Sequence, residues 1–149
     1  MNFDYKKFIG SGFYTGYIPF APGTFGSLAA ALFLFIPELN NLLILIPIII
    51  FSTIYGITLG NYFETIYKKD PKQFTLDEFV GTWIAYLYIP SNFQLFIITF
   101  IVWRFFDIVK IYPANKLESL KGGYGIMADD IVSGLYSLIF MIIFKLLFF

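Results

Sequence analysis

Charge is missing from long tracts of this chain. Residues 8–37, 39–63 and 79–103 contain no Asp, Glu, Lys or Arg, and residues 131–149 contain only Lys145. A helix crossing a bilayer needs roughly 20 predominantly apolar residues. The tracts at 42–63 and 131–149 meet that requirement directly, and the other two are broken. Polar residues, Gly and Pro interrupt the first tract up to Thr24, so only 25–36 reads as continuous helix. A helix of that length rises about 18 Å, short of a hydrocarbon core about 30 Å thick. That predicts a first helix that is short or partly re-entrant. Pro90-Ser91-Asn92 interrupts the third tract with a turn signal, leaving either one kinked span or a hairpin of two helices.

The distribution of charge favours the hairpin. With a turn at Pro90 the helices run over about 25–36, 42–63, 78–89, 93–112 and 130–148. Lys6, Lys7, Lys68, Lys69, Lys72, Arg104, Lys110, Lys116 and Lys121 then gather at one end, nine of the ten basic residues. The positive-inside rule makes that end cytoplasmic. A single span through Pro90 would instead export Lys110, Lys116 and Lys121. The expected fold is an all-α integral membrane domain over residues 1–149. It has about four to five membrane-embedded helices, one or two of them short, and one polar site on the cytoplasmic face. Homo-oligomerisation or local thinning of the bilayer would accommodate the short helices. Lys6 and Lys7 are followed by sequence broken by Gly and Pro, unlike the apolar core of a secretory signal.

Composition narrows the chemistry. Apolar residues make up 58% and charged residues 13%, against roughly 45–50% and about 25% in soluble domains. Ten basic and ten acidic residues cancel, so no net field points to nucleic acid. The absence of Cys removes disulfides, thiolate metal sites and cysteinyl-phosphate chemistry. The absence of His removes that side chain as base, nucleophile or ligand. An enzyme built from this sequence must use carboxylates, Lys and Arg, hydroxyls and a bound metal.

Four segments at the cytoplasmic end carry the polar chemistry. Asp77-Glu78 and Asp129-Asp130 each precede an apolar run. Paired acids at a lipid boundary are costly unless solvated, paired or metal-bound, and Mg²⁺ takes oxygen ligands of this kind. Helix capping is the competing account, since Thr75-Leu76-Asp77-Glu78 fits a capping box. Two such pairs at one end of a chain without His favour metal. Arg104, Asp107 and Lys110 share one helical face. Arg offers a fork for phosphate oxygens and Lys a point charge. The alternative is a structural Arg104–Asp107 pair with Lys110 reaching to the interface, and Asp107 is either a metal ligand or a group orienting Arg104. Pro22-Gly23-Thr24-Phe25-Gly26-Ser27 precedes a helix, where glycines and hydroxyls suit either a phosphate or an ordinary cap. Lys121-Gly122-Gly123-Tyr124-Gly125 reads as a phosphate-facing loop or a plain connection. Asn61 and Glu64 read as boundary residues, and Lys68, Lys69 and Lys72 as topology signals attracted to anionic lipid.

In order along the chain, these segments resemble the bacterial phosphatidylglycerophosphatase A family. Its pattern includes P-G-T-x-G-S, here residues 22–27, and D-E-F-[IV]-G, here 77–81. It continues with R-x-x-D-x-x-K-x-x-P, here Arg104, Asp107, Lys110 and Pro113, and G-G-x-G-I-M-x-D-D, here 122–130. The Trp expected before the Asp-Glu pair is Leu76. The resemblance implies Mg²⁺-dependent hydrolysis of the phospholipid phosphatidylglycerophosphate to phosphatidylglycerol and phosphate. It places the enzyme in phospholipid biosynthesis, multi-pass in the bacterial inner membrane with its active site on the cytoplasmic side. In that reading Asp77, Glu78, Asp107, Asp129 and Asp130 are catalytic, and Asp77, Glu78, Asp129 and Asp130 hold one or two Mg²⁺. Gly23, Thr24, Gly26, Ser27, Arg104 and Lys110 bind the substrate phosphate. The nucleophile is water or a carboxylate, and the D-x-D-x-T signature of an aspartyl-phosphate enzyme is missing. The rival functions are a membrane transporter or another membrane protein that handles phospholipid phosphates.

Overall fold

The computed structural model describes residues 3–88 and 90–149. Every regular element among the described residues is helical. The α-helices are α1 (Tyr5–Gly10), α2 (Pro22–Phe33), α3 (Leu42–Tyr67), α4 (Leu76–Ala85), α5 (Phe93–Val109), α6 (Ala114–Leu117) and α7 (Gly123–Phe148), with single 3₁₀ turns at Thr15–Tyr17 and Pro37–Asn40.

Local chemistry explains most of the boundaries. Pro22 occupies the first turn of α2, where its missing N–H is no loss. The Asn41 side chain accepts from the Leu43 N–H to start α3, and Asn92 accepts from the Leu95 N–H to start α5. The Pro90 interruption is a hairpin. Glu78 pairs with Arg104 at one end, and the Tyr86 hydroxyl donates to the Phe96 carbonyl at the other, 2.8 Å away. The two helices are therefore antiparallel. Ile89, the last residue of the expected third helix, lies outside the described residues.

Several boundaries differ from the expected ones: α2 ends at Phe33 rather than 36, α3 ends at Tyr67 rather than 63, and α4 runs over Leu76–Ala85 rather than 78–89. α2 begins at Pro22 rather than 25. α5 ends at Val109 rather than 112, because Lys110 takes a left-handed conformation, φ 46°. α7 begins at Gly123 rather than 130. Its glycines mark close packing instead of a loop. A Cβ on Gly123 would lie 2.1 Å from the Ile57 carbonyl oxygen, and one on Gly60 would lie 2.7 Å from the Gly123 Cα. Small residues here let α3 and α7 approach backbone to backbone.

At the centre sits α4, where eight of ten residues are buried. It is a core helix and does not face lipid. α2 runs parallel to it, as the contacts Ser27–Glu78 and Trp83–Ala30 require. α7 also runs parallel to α4, with Gly134 against Gly81. α5 lies antiparallel to α7 through Lys110–Asp129 and Phe106–Ser133. The N-termini of α2, α4 and α7 thus share one end of the bundle with the C-termini of α3 and α5.

Two helices, α3 and α7, are long and apolar enough to cross a membrane. Only 22% of each apolar window is buried, so these residues face outward. Leu43, Phe51, Ile54, Ile143 and Leu146 are all more than half exposed, an outward apolar surface of the kind that marks an interaction face. α2 and α5, at 12 and 17 residues, fall short of that length.

Candidate active site

A cavity of about 380 Å³ opens at the shared end. Its walls are the first turns of α2 and α4, the second turn of α7, the C-terminal end of α5 and the 68–75 connection. Asp77, Glu78, Asp107, Asp129, Asp130 and Lys110 all line it. Five acids called from sequence therefore meet in one place.

Capping accounts for only one of the four acids: Asp77 Oδ1 accepts the first-turn N–H of Glu78 at 2.9 Å. Thr75 makes no side-chain cap bond, and its hydroxyl instead pairs with that of Thr15 at 3.0 Å. Glu78 turns away from the helix start to meet Arg104 and Ser27. Asp129 and Asp130 lie beyond the first turn of α7, where the helix-end field has faded.

Beneath the cavity is a buried bracket. Ser27 is fully buried, and its hydroxyl donates to Glu78 Oε2 at 2.6 Å. The same oxygen accepts from Trp103 Nε1 at 3.1 Å and from Arg104 at 3.0 Å, which fills its capacity. The Arg104 guanidinium also bonds Glu78 and lies 2.9 Å from Asp107 Oδ2. In this arrangement Arg104 orients two carboxylates and is not on the cavity wall, nor are Thr24, Gly26 and Ser27. Of the Pro-Gly-Thr segment only Pro22 and Gly23 face the cavity. Gly23 leaves room for the acid, since a Cβ there would stand 2.1 Å from Glu78 Oε1. Ser27→Ala is expected to weaken divalent-cation affinity about tenfold, because Glu78 loses a donor and Trp103 an acceptor in a dry setting. Titration calorimetry checks this, and unchanged affinity would remove the bracket from the site.

Lys110 does not reach out to the interface. Its ammonium lies 2.7 Å from Asp129 Oδ2 and 2.9 Å from Glu118 Oε1. Burial opposes its charge, but the bonds to Asp129 and Glu118 prevail and hold it above the ordinary lysine range.

The donor set fits a hard divalent cation. Glu78, Asp107 and Asp130 each bring a carboxylate oxygen within 4.8 Å of the others. Asp129 Oδ1 and Asp130 Oδ2 are buried with no hydrogen-bond partner among the described residues. Such oxygens are costly without a counter-charge, and Mg²⁺ takes oxygen ligands of this type. The geometric group differs from the expected set of Asp77, Glu78, Asp129 and Asp130. Adjacent residues on a helix point about 100° apart, and one member of each pair, Glu78 and Asp130, belongs to this group of three. Asp107 completes the group, and Asp77 and Asp129 line the same cavity beside it.

Two acids were missed. Asp70 lines the cavity from the 68–75 connection, its N–H donating to Glu64 Oε1 at 3.2 Å, and Glu118 partners Lys110. The Asp70-Pro71 turn signal was available, but nothing local links it to α7. Ala21, Asp70 and Lys110 all line the cavity with left-handed backbones, φ 45°, 50° and 46°. Each conformation costs about 1–3 kcal/mol and persists where the surroundings impose it, commonly at functional sites.

The phosphatidylglycerophosphatase A family profile matches residues 8–145. A Bacteroides thetaiotaomicron protein named "Putative phosphatidylinositol-3-phosphatase" is 40% identical over 139 residues, covering 88% of this chain and 87% of that protein. Phosphatidylglycerophosphatase A of Escherichia coli is 34% identical over 138 residues, covering 85% and 75%. That of Haemophilus influenzae is 35% identical over 135 residues, covering 86% and 81%. No solved structure matches the chain.

Proposed function

The chain belongs to the phosphatidylglycerophosphatase A family, and we propose that it removes the terminal phosphate of phosphatidylglycerophosphate with the help of carboxylate-held Mg²⁺. It is a phosphoric monoester hydrolase. The product would be phosphatidylglycerol, which places the reaction in phospholipid biosynthesis. The observation that carries the Mg²⁺ reading is the pair of buried, unpartnered oxygens on Asp129 and Asp130 beside the Glu78–Asp107–Asp130 group. The basic end of the bundle favours a multi-pass protein in the inner membrane with its active site on the cytoplasmic side.

Glu78, Asp107 and Asp130 would hold the cation, with Asp77 and Asp129 within the same cavity for a second. A divalent cation bound there would neutralise charge on the phosphoryl group and make water nucleophilic near neutral pH. Ser27 and Arg104 keep Glu78 and Asp107 in register. Lys110 has three N–H donors, two of them taken by Asp129 and Glu118, and the third can meet a non-bridging oxygen. Gly23 adds a first-turn N–H of α2, a donor that the helix itself leaves free. The departing glycerol oxygen takes a proton from water or from a wall carboxylic acid; Asp77 has no cation partner among the described residues.

The 40% identity to the protein named for phosphatidylinositol 3-phosphate supports a second reading with the same chemistry and another headgroup. One assay tests both: phosphate release from each lipid by detergent-purified protein, with Mg²⁺ or EDTA. The expected result is Mg²⁺-dependent release from phosphatidylglycerophosphate, faster than from phosphatidylinositol 3-phosphate and abolished by EDTA. Release that survives EDTA sinks the metal assignment, and the opposite preference makes the inositol lipid the substrate. No release from either, with ion flux in sealed vesicles, would favour a transporter.

A further inference from the structure

Two of the three cations at the site are engaged within it. Arg104 meets Glu78, Asp107 and Ser27, and Lys110 meets Asp129 and Glu118. Lys72 lines the same cavity, is exposed, and has no ion pair among the described residues. The backbone on both sides of it is anchored. Pro71 is buried, and Phe74 is 4% exposed and packs on Phe63 at 5.3 Å between ring centres. Lys72 therefore projects from a fixed connection. The carboxylates lie deeper, with Asp107 7% exposed and Asp129 and Asp130 each 4%.

A lipid phosphomonoester of the proposed class carries a second anion, the phosphodiester that joins its headgroup to diacylglycerol. That diester has nothing to gain among the carboxylates, which repel it and which the reacting phosphate approaches through a cation. At about 380 Å³ the cavity is of small-ligand size, roughly 300–1,000 Å³, and larger than a phosphoryl group alone needs. A headgroup with its phosphate at the acidic floor would bring its diester towards the mouth.

We propose that Lys72 binds this phosphodiester and so selects a lipid bearing both a monoester and a diester phosphate over a simple phosphomonoester. The inference rests on the lipid-phosphatase reading of the site. It separates Lys72 from Lys68, which does not line the cavity and serves as the control for general attraction to anionic surfaces.

The test uses purified protein in neutral detergent micelles, phosphatidylglycerophosphate as substrate, and inorganic phosphate as a competitive inhibitor that fills only the monoester position. Lys72→Gln is expected to raise KM about tenfold, the loss of one charge-assisted contact. Its kcat and the inhibition constant of phosphate should stay near wild type, which also shows that the variant is folded. Lys72→Arg should restore KM, and Lys68→Gln should leave it unchanged. An unchanged KM in Lys72→Gln overturns the proposal. So does an equal weakening of phosphate inhibition, which would put Lys72 on the reacting group, or an equal rise in Lys68→Gln. Wild-type protein inactive on this lipid overturns the parent reading, and the Lys72 assignment falls with it.

Discussion

Asp130→Asn is expected to lower kcat for phosphate release by about 10²–10³-fold, the loss seen when one preorganised electrostatic group is removed from an active site. It should leave the metal-free protein folded and at least as stable as wild type. Asp130 is 4% exposed, one of its oxygens has no partner among the described residues, and it belongs to the Glu78–Asp107–Asp130 group. Asn keeps the shape and removes the charge, so the cation loses its strongest kind of ligand at that corner. Without metal, the same change relieves repulsion from Glu78 and Asp107. Buried charges held for function commonly oppose stability in this way. Thermal unfolding in detergent separates the two effects. Wild type should gain stability on adding Mg²⁺, as any ligand specific for the folded state requires, and Asp130→Asn should gain much less. An Mg²⁺-induced shift equal to wild type, or release within tenfold of it, would remove Asp130 from the cation site.

How legible the molecule was in its sequence depended on range. The uncharged tracts located α3, α5 and most of α7, because outward-facing apolar residues need no partner to be recognised. The turn at Pro90 was equally local, with Asn92 capping the following helix. α4 reads in the sequence as one more apolar embedded helix, and its place at the buried centre comes only from its packing against α2, α3 and α7. The start of α7 lies seven residues before the point where the sequence pattern puts it. Gly122, Gly123 and Gly125 resemble a loop until the Ile57 carbonyl is seen against Gly123. At the site, the acids and basic residues were visible as types and spacings, but their division of labour was not. Neighbouring acids look like pairs in the sequence, whereas the three oxygens within 4.8 Å of one another come from Glu78, Asp107 and Asp130, with Asp77 and Asp129 lining the same cavity. Ser27 looked like a phosphate donor because nothing in its segment announces Trp103, 76 residues away.

The spacing between the two acidic pairs depends on one helix crossing, and Gly134→Val tests it. α4 carries Asp77 and Glu78 and α7 carries Asp129 and Asp130, and the two helices meet where Gly134 faces Gly81. A Cβ on Gly134 would lie 2.6 Å from the Gly81 carbonyl oxygen and 3.1 Å from Ile84 Cβ. The first neighbour is backbone and cannot swing aside, so the helices must separate. Retreat of α4 is blocked in turn, because Trp103 already sits where a Cβ on Gly81 would be, 2.2 Å away. Overpacking of this kind costs about 1–3 kcal/mol. The larger expected effect is on function: Gly134 is one turn, about 6 Å, beyond Asp130, and a displacement near 1 Å at a reacting centre can cost about 10²-fold in rate. Gly134→Val should therefore lose about two orders of magnitude in kcat/KM and bind Mg²⁺ more weakly at temperatures where it is still folded. Met141→Ala supplies the contrast. Met141 is fully buried further along α7, and its truncation should cost about 2–5 kcal/mol without moving the acids. Its activity should stay near wild type below its own unfolding temperature. If the two variants lose activity only in proportion to their unfolded fractions, the crossing supports the bundle but does not set the site. If Gly134→Val fails while folded and Met141→Ala does not, the distance between α4 and α7 is the quantity that these glycines hold.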